Sequence, residues 1–176
     1  MGETGSRSAA GLFWRAVSLA VWQNGQMDER KQAIYTPAGG PPAGARPSLE
    51  ILIEIGEPGI FSLLEAFYVR LAESRIQHFF PTGESEMVAA SQKSAAFFVQ
   101  LLGGRPLFSQ HFGPPQMRRR HFPFEIDAAA RQEWLDCFAE TLKDAMAAGT
   151  FPAAHEPSFS AFLESFSSWM VNVAPD

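Results

Sequence analysis

The sequence predicts an all-α fold. Apolar residues recur at spacings of three and four along several long stretches, the period of a helix with one buried face. Glycine and proline punctuate those stretches at both ends. Alternating patterns are almost missing; Leu49, Ile51, Ile53 and Ile55 alternate, but no partner strand is evident.

Along the chain, residues 1–8 read as a tail, and residues 9–22 as a short amphipathic helix carrying Leu12, Phe13, Ala16, Val17 and Ala20. Residues 36–48, TPAGGPPAGARPS, hold four prolines and three glycines and read as a loop or linker. The chain therefore divides into an extension, 1–48, and a compact body, 49–176, expected to fold without it. Phe13 and Trp14 set a contrary possibility beside this, because the 9–22 helix would otherwise leave apolar surface uncovered.

The body opens at Ser48, a good N-cap for a short helix from Leu49. Gly56 to Gly59 turns the chain. A long helix then runs from Phe61 to Phe80 with Leu64, Phe67, Tyr68, Leu71 and Ile76 on its apolar face, ended by Pro81 and Gly83. A second covers 85–102 and stops at Gly103-Gly104. Residues 105–116 read as turns, and Gln116 to His121 as a brief helix that breaks before Pro123. Asp127 caps a helix ending at Gly149, and a last helix begins at Pro157 or Ser158.

Composition narrows the function. A chain of 176 residues with 46% apolar content suits one domain with a full core. A net charge of -5 argues against a nucleic-acid binder, so the triplet Arg118–Arg119–Arg120 is a local feature. The single cysteine, Cys137, fits a reducing, cytoplasmic setting, and no apolar run is long enough for a membrane span. Arg7 precedes an apolar run near the start, but Arg15 interrupts it and no clear cleavage site follows. Sixteen phenylalanines against two tyrosines offer flat apolar surface for a helical core or for a large planar ligand.

The stretch MRRRHFPFEI, 117–126, places one imidazole after three arginines. Its His121 is open to three readings: phosphate binding with the arginines, general-base catalysis, or metal ligation. Zinc wants three or four protein ligands, and no cysteine pair, histidine pair or carboxylate cluster surrounds His121. One protein ligand suffices if a macrocycle supplies the rest. Haem is such a group, and its two propionates would suit neighbouring arginines. The plain alternative is that His121 only caps a short helix beside solvated arginines.

The segment from Gly103 to Phe138 carries a more specific pattern: Gly103-Gly104, then Arg118, Arg120, His121, Pro123 and Phe124, then Trp134 thirteen residues past the histidine. In this pattern the sequence resembles truncated haemoglobins of the group II, or O-type, class, over roughly residues 49–173. The family's Gly-His-Pro step is Gly113-Pro114-Pro115 here, so its histidine is replaced. The resemblance implies a two-over-two helical sandwich around a pocket for haem b. The haem would be held noncovalently, since no Cys-x-x-Cys-His motif exists.

The same resemblance implies the roles of individual residues. His121 becomes the proximal metal ligand, and Arg118 or Arg120 the partner of a propionate. Arg119 between them faces solvent. Tyr68 becomes the distal hydrogen-bond donor and Trp134 a second donor, its indole lying over the haem; these two are the candidate catalytic residues. Phe80 falls where many relatives carry tyrosine, Ala90 where other globins carry a distal histidine, and Ser94 one turn further on. Ser94 is expected to bond ligand, a water or its own helix. Lys93 is placed at the haem edge, while Phe97 and Phe124 pack on the haem. Phe108 stands at a position that is often tyrosine. The function implied is binding of dioxygen, nitric oxide or carbon monoxide, with redox chemistry on nitric oxide or peroxide favoured over bulk oxygen transport. That chemistry would need an external reductase. The alternative is a haem-based gas or redox sensor using the N-terminal arm as an interaction element, as monomer or homodimer.

Overall fold

The computed structural model describes residues 33–175 apart from Gly39 and Pro42. The helix expected over 9–22 lies outside the described residues. Six α-helices follow in order: α1 (Glu50–Glu73), α2 (Glu84–Leu101), α3 (Leu107–Phe112), α4 (Met117–Arg120), α5 (Ala128–Ala147) and α6 (Glu156–Met170). Short 3-10 turns occupy Gln77–Phe79 and Ala153–His155, and no strand occurs among the described residues. The helix pairs α1–α2 and α5–α6 form the two layers, with α1 packing on α5 between them.

Local chemistry explains most boundaries. Gly56 breaks α1 with a φ of 65°, a conformation that suits glycine, and helix geometry resumes before Pro58. The expected turn from Gly56 to Gly59 is thus one residue of non-helical backbone. The long helix also ends earlier than Phe80. Ser74 takes extended backbone, its hydroxyl donates to the Leu71 carbonyl at 2.8 Å, and the chain continues as a 3-10 turn. α2 stops where Gly103 adopts a φ of 82° and the Gly104 N–H donates to the Val99 carbonyl at 2.9 Å. Asp127 caps α5, accepting from the Ala130 N–H at 2.7 Å.

Residues 105–116 were expected to be turns, yet they contain α3. Its register is set from a distance: the Gln100 amide donates to the Ser109 hydroxyl at 2.8 Å and accepts from the Ser109 N–H at 2.9 Å. Such a side-chain clamp leaves no periodic signature in a six-residue helix. The last helix starts at Glu156, one residue before the expected Pro157, and ends at Met170, with Asn172 in the segment beyond.

The core is aromatic. Phe67 of α1 lies 4.1 Å from Phe138 of α5, ring centre to ring centre, and Phe138 packs in turn on Phe98 of α2 and Phe159 of α6. Phe138 is fully buried where all four long helices meet. Its truncation to alanine should cost about 3–5 kcal/mol. Much of the phenylalanine surplus therefore builds the scaffold.

The described residues of 36–48 contain neither helix nor strand, in keeping with their prolines, but the segment is tied down at both ends. The Tyr35 N–H donates to the Asn172 carbonyl at 3.0 Å, Pro47 is buried, and the Ser48 N–H donates to the Ser158 hydroxyl at 3.2 Å. No helix among the described residues is long and apolar enough to cross a membrane.

Candidate functional site

Two groups of residues, linked by α2, make up the candidate site. The first gathers on α1 and α2. Tyr68 extends from α1 one residue past the buried Phe67, so its ring borders the core. Its hydroxyl shares a 2.7 Å hydrogen bond with the Ser94 hydroxyl on α2. Phe67 and Phe80 meet the Tyr68 ring edge-on at 5.9 and 5.7 Å. Burial pushes the Tyr68 phenol above its ordinary range, and the Ser94 hydrogen bond only partly offsets that. The group is a neutral O–H donor at physiological pH. Trp134 of α5 stands edge-on to Phe67 at 5.5 Å. Among the described residues its indole N–H has no acceptor.

The second group surrounds His121, which follows α4 directly. Its Nδ1 lies 2.6 Å from the Met117 carbonyl. A carbonyl can only accept, so Nδ1 carries the proton and the lone pair resides on Nε2. Burial lowers the His121 pKa; the Met117 carbonyl opposes the shift and the Lys93 charge adds to it. The imidazole is therefore neutral near pH 7, the form that ligates iron. Lys93 reaches from α2 toward the same region, with its ammonium 5.1 Å from the centre of the Phe112 ring. Burial, then the nearby Arg120 charge, depresses its pKa. Lys93 has no carboxylate partner among the described residues.

These features fit haem. A neutral histidine with a fixed tautomer can ligate the metal through Nε2. A half-buried ammonium without an acid suits a propionate. Two hydroxyls and an indole in aromatic surroundings suit a small polar ligand.

The flanking arginines have other partners. Arg118 donates through Nη1 to the Trp169 carbonyl and, at 3.2 Å, to that of Val171, and through Nη2 to that of Tyr35 at 2.8 Å; it also stacks on the Trp169 ring. Arg120 donates to the carbonyls of Pro115, Phe112 and Pro114 at 2.8, 2.5 and 3.0 Å. Both guanidinium groups thus hold the backbone around α4. Arg119 is exposed. Phe97 packs against Phe98, Phe108 and Phe166, at the edge of the core. Phe124 is exposed, with Phe79 and His121 as ring neighbours at 6.1 and 6.4 Å.

One residue of the site escaped sequence reasoning. Asn172 is almost fully buried, and its amide donates to the carbonyls of His121 and Phe124 at 3.1 and 3.0 Å while accepting from the Ile126 N–H at 3.0 Å. It fastens the loop after His121 to the end of the chain's last helix. The only hint in the sequence was a lone asparagine within the apolar run MVNV.

The chain is similar to known proteins in sequence and in fold. The profile of the family described as bacterial-like globin matches residues 54–172. The chain is 37% identical over 92 residues to the group 2 truncated hemoglobin YjbI of Bacillus subtilis, covering 52% of this chain and 65% of that protein. It is 33% identical over 96 residues to two-on-two hemoglobin-3 of Arabidopsis thaliana, covering 53% and 54%. The matched stretch thus spans less than two thirds of either relative. Among solved structures, phosphate-bound Hell's gate globin IV superposes with a TM-score of 0.72 at 34% identity, covering 77% of this chain and 82% of that one. The truncated oxygen-avid haemoglobin of Bacillus subtilis superposes with a TM-score of 0.61 at 29% identity, covering 69% and 98%. The chain belongs to the bacterial-like globin family, as a haem-binding group II truncated haemoglobin with the two-over-two fold.

Proposed function

We propose that the chain holds haem b through His121 Nε2 and binds dioxygen or another diatomic ligand beside Tyr68 and Trp134, for redox chemistry on nitric oxide or peroxide. The observation that carries this reading is the Tyr68–Ser94 hydroxyl pair, fixed at 2.7 Å in aromatic surroundings. The haem iron, when bound, supplies the coordination position and the electron.

The chain's own residues do the rest. Met117 fixes the His121 tautomer and makes Nε2 a better donor to metal. Lys93 pairs with a propionate, which relieves the cost of burying its charge. Either hydroxyl of the pair can donate; with Ser94 as the donor, the Tyr68 proton is free to point toward ligand. Trp134 adds its indole N–H. Phe67 and Phe80 keep water from these donors, which strengthens each hydrogen bond. Donors around a partly negative ligand slow its release, and slow release suits chemistry better than delivery. Oxidation of nitric oxide to nitrate by dioxygen consumes one electron per turnover, so an external reductase must return it.

A second reading, a haem-based sensor, is favoured by one contact. Arg118 bonds both the Tyr35 carbonyl and the carbonyls of Trp169 and Val171 at the end of α6, and Arg118 sits three residues before His121. The extension and the proximal histidine thus share an element.

Oxygen displacement by stopped flow tests the main reading. Tyr68→Phe keeps the ring and removes the proton. A hydrogen bond worth about 0.5–1.5 kcal/mol, or more with a charged acceptor, makes oxygen leave the ferrous variant about ten-fold faster or more. Carbon monoxide builds up less charge on its outer atom and should change less. Equal acceleration of both ligands would indicate a loosened pocket and overturn the donor role. Trp134→Phe belongs in the same series, because two donors sharing one ligand give non-additive rates.

A further inference from the structure

A groove of about 490 Å³ opens on the outer side of α4, between it and the end of α6. Met117, Phe122, Phe166, Trp169 and Met170 supply its apolar wall, and Arg119 stands at its rim. Neither His121, Tyr68, Ser94 nor Trp134 lines it, so it is separate from the candidate haem site. We propose that residues 9–22 of the same chain seat their apolar face in this groove.

The path of the chain selects this occupant. Tyr35 is held between the two elements that build the groove: its N–H donates to the Asn172 carbonyl at 3.0 Å, and its carbonyl accepts from Arg118 at 2.8 Å. Arg118 itself lines the groove. The described part of the chain therefore starts, at Ala33, two residues from a contact on the groove's own edge. From Trp22 to Tyr35 an extended chain reaches about 40 Å, whereas a helix over 9–22 is only about 21 Å long. The tether is long enough to let that helix lie back along the groove.

The chemistry is complementary. Leu12, Phe13, Ala16 and Val17 recur at helical spacing on one side of the 9–22 segment. The groove offers aromatic rings and two methionines, side chains that adapt to irregular apolar partners. Arg119 is exposed and has no acidic partner among the described residues. Asp28 and Glu29 lie in the tether, seven and six residues before Tyr35, where they can meet it. Covering the groove would bury the back of the short helix that positions His121, and so restrain it.

Hydrogen exchange on the full-length haem-loaded protein tests this. Two variants are compared with wild type: Phe13→Ser combined with Trp14→Ser, and Arg119→Glu on the body side. The first should speed exchange of amides in 116–122 and 166–170 by about ten-fold or more, leaving α1 and α2 protected. The second should speed exchange within 9–22. Sizing chromatography should show the same mass for all three, and protection should not depend on concentration. Unchanged exchange in 9–22 on Arg119→Glu would overturn the proposal, even if the serine variant folds poorly. So would unchanged exchange in 116–122 in a folded serine variant. Protection that vanishes on dilution would assign the groove to a second copy and equally overturn it.

Discussion

Tyr68 on α1 and Ser94 on α2 join their hydroxyls at 2.7 Å, each the other's hydrogen-bond partner across the helix pair. The bond has a structural cost if broken. Ser94→Ala leaves a buried phenol without its partner, at about 1–3 kcal/mol. Adding Tyr68→Phe removes the orphaned group and should recover much of that loss. Denaturant unfolding of the two single variants and the double, at equal haem loading, gives the coupling. Strictly additive losses would show that the pair is not a bond in solution.

Arg118 and Lys93 should separate scaffold from cofactor. Arg118 holds three carbonyls with a planar fork, including Trp169 and Tyr35. Arg118→Lys keeps the charge but not the fork, so it should lose about 1–3 kcal/mol of stability. Lys93→Ala removes a half-buried charge and should change stability little, while haem transfers faster to an excess acceptor. Haem transfer measured beside thermal unfolding checks both. A Lys93→Ala protein that keeps haem as long as wild type would remove the propionate role.

Asn172 makes the proximal loop and the chain's end one unit through three hydrogen bonds. Asn172→Ala breaks them together: the Phe124 carbonyl and the Ile126 N–H lose these partners, while the His121 carbonyl keeps only the Phe124 N–H. The expected loss is about 2–4 kcal/mol, large for an uncharged residue so far along the chain. Because the His121 backbone is one of its partners, the iron–histidine stretching band should also broaden in resonance Raman spectra. A variant with wild-type stability and a wild-type band would show the clamp to be idle.

What could be read in the sequence follows from periodicity and punctuation. α2, α5 and α6 are long enough for the 3.6-residue period to show, and Gly103-Gly104 and Asp127 mark ends by local chemistry. The His121 segment was legible because its residues sit at fixed spacing in sequence. Partners distant in sequence were not. The Gln100–Ser109 clamp that builds α3 and the Asn172 clamp on the His121 loop are tertiary hydrogen bonds without a local pattern. Nor could the sequence show that Arg118 and Arg120 would turn to backbone carbonyls, since a guanidinium beside a histidine looks the same whichever acceptor it finds.

Glu57 and Arg105 give a pH prediction. The Arg105 hydrogen bond holds the Glu57 carboxyl below its ordinary value of 4.5, outweighing a small opposing effect of burial. A depressed folded pKa means that the unfolded chain takes up the proton first. The contribution is therefore complete above about pH 4.5 and disappears as pH falls through the lower folded value. Both groups are exposed enough for solvent to screen the pair, so its contribution is small. Glu57→Gln should be slightly less stable than wild type at pH 7 and converge with it in acid. Urea unfolding across pH 3 to 7 tests this, and a constant difference at every pH would contradict it.

The central claim is that His121 Nε2 is the protein's bond to haem. Titration of haem into wild type and into His121→Ala, read as ferrous carbon-monoxide absorbance and as the iron–histidine stretching band, tests it most directly. Wild type should saturate at one haem per chain with a histidine signature, and His111→Ala should do the same. His121→Ala should lose stoichiometric binding, and added imidazole should restore part of the spectrum. A His121→Ala protein that still saturates at one haem with an unchanged axial-histidine band would contradict the account.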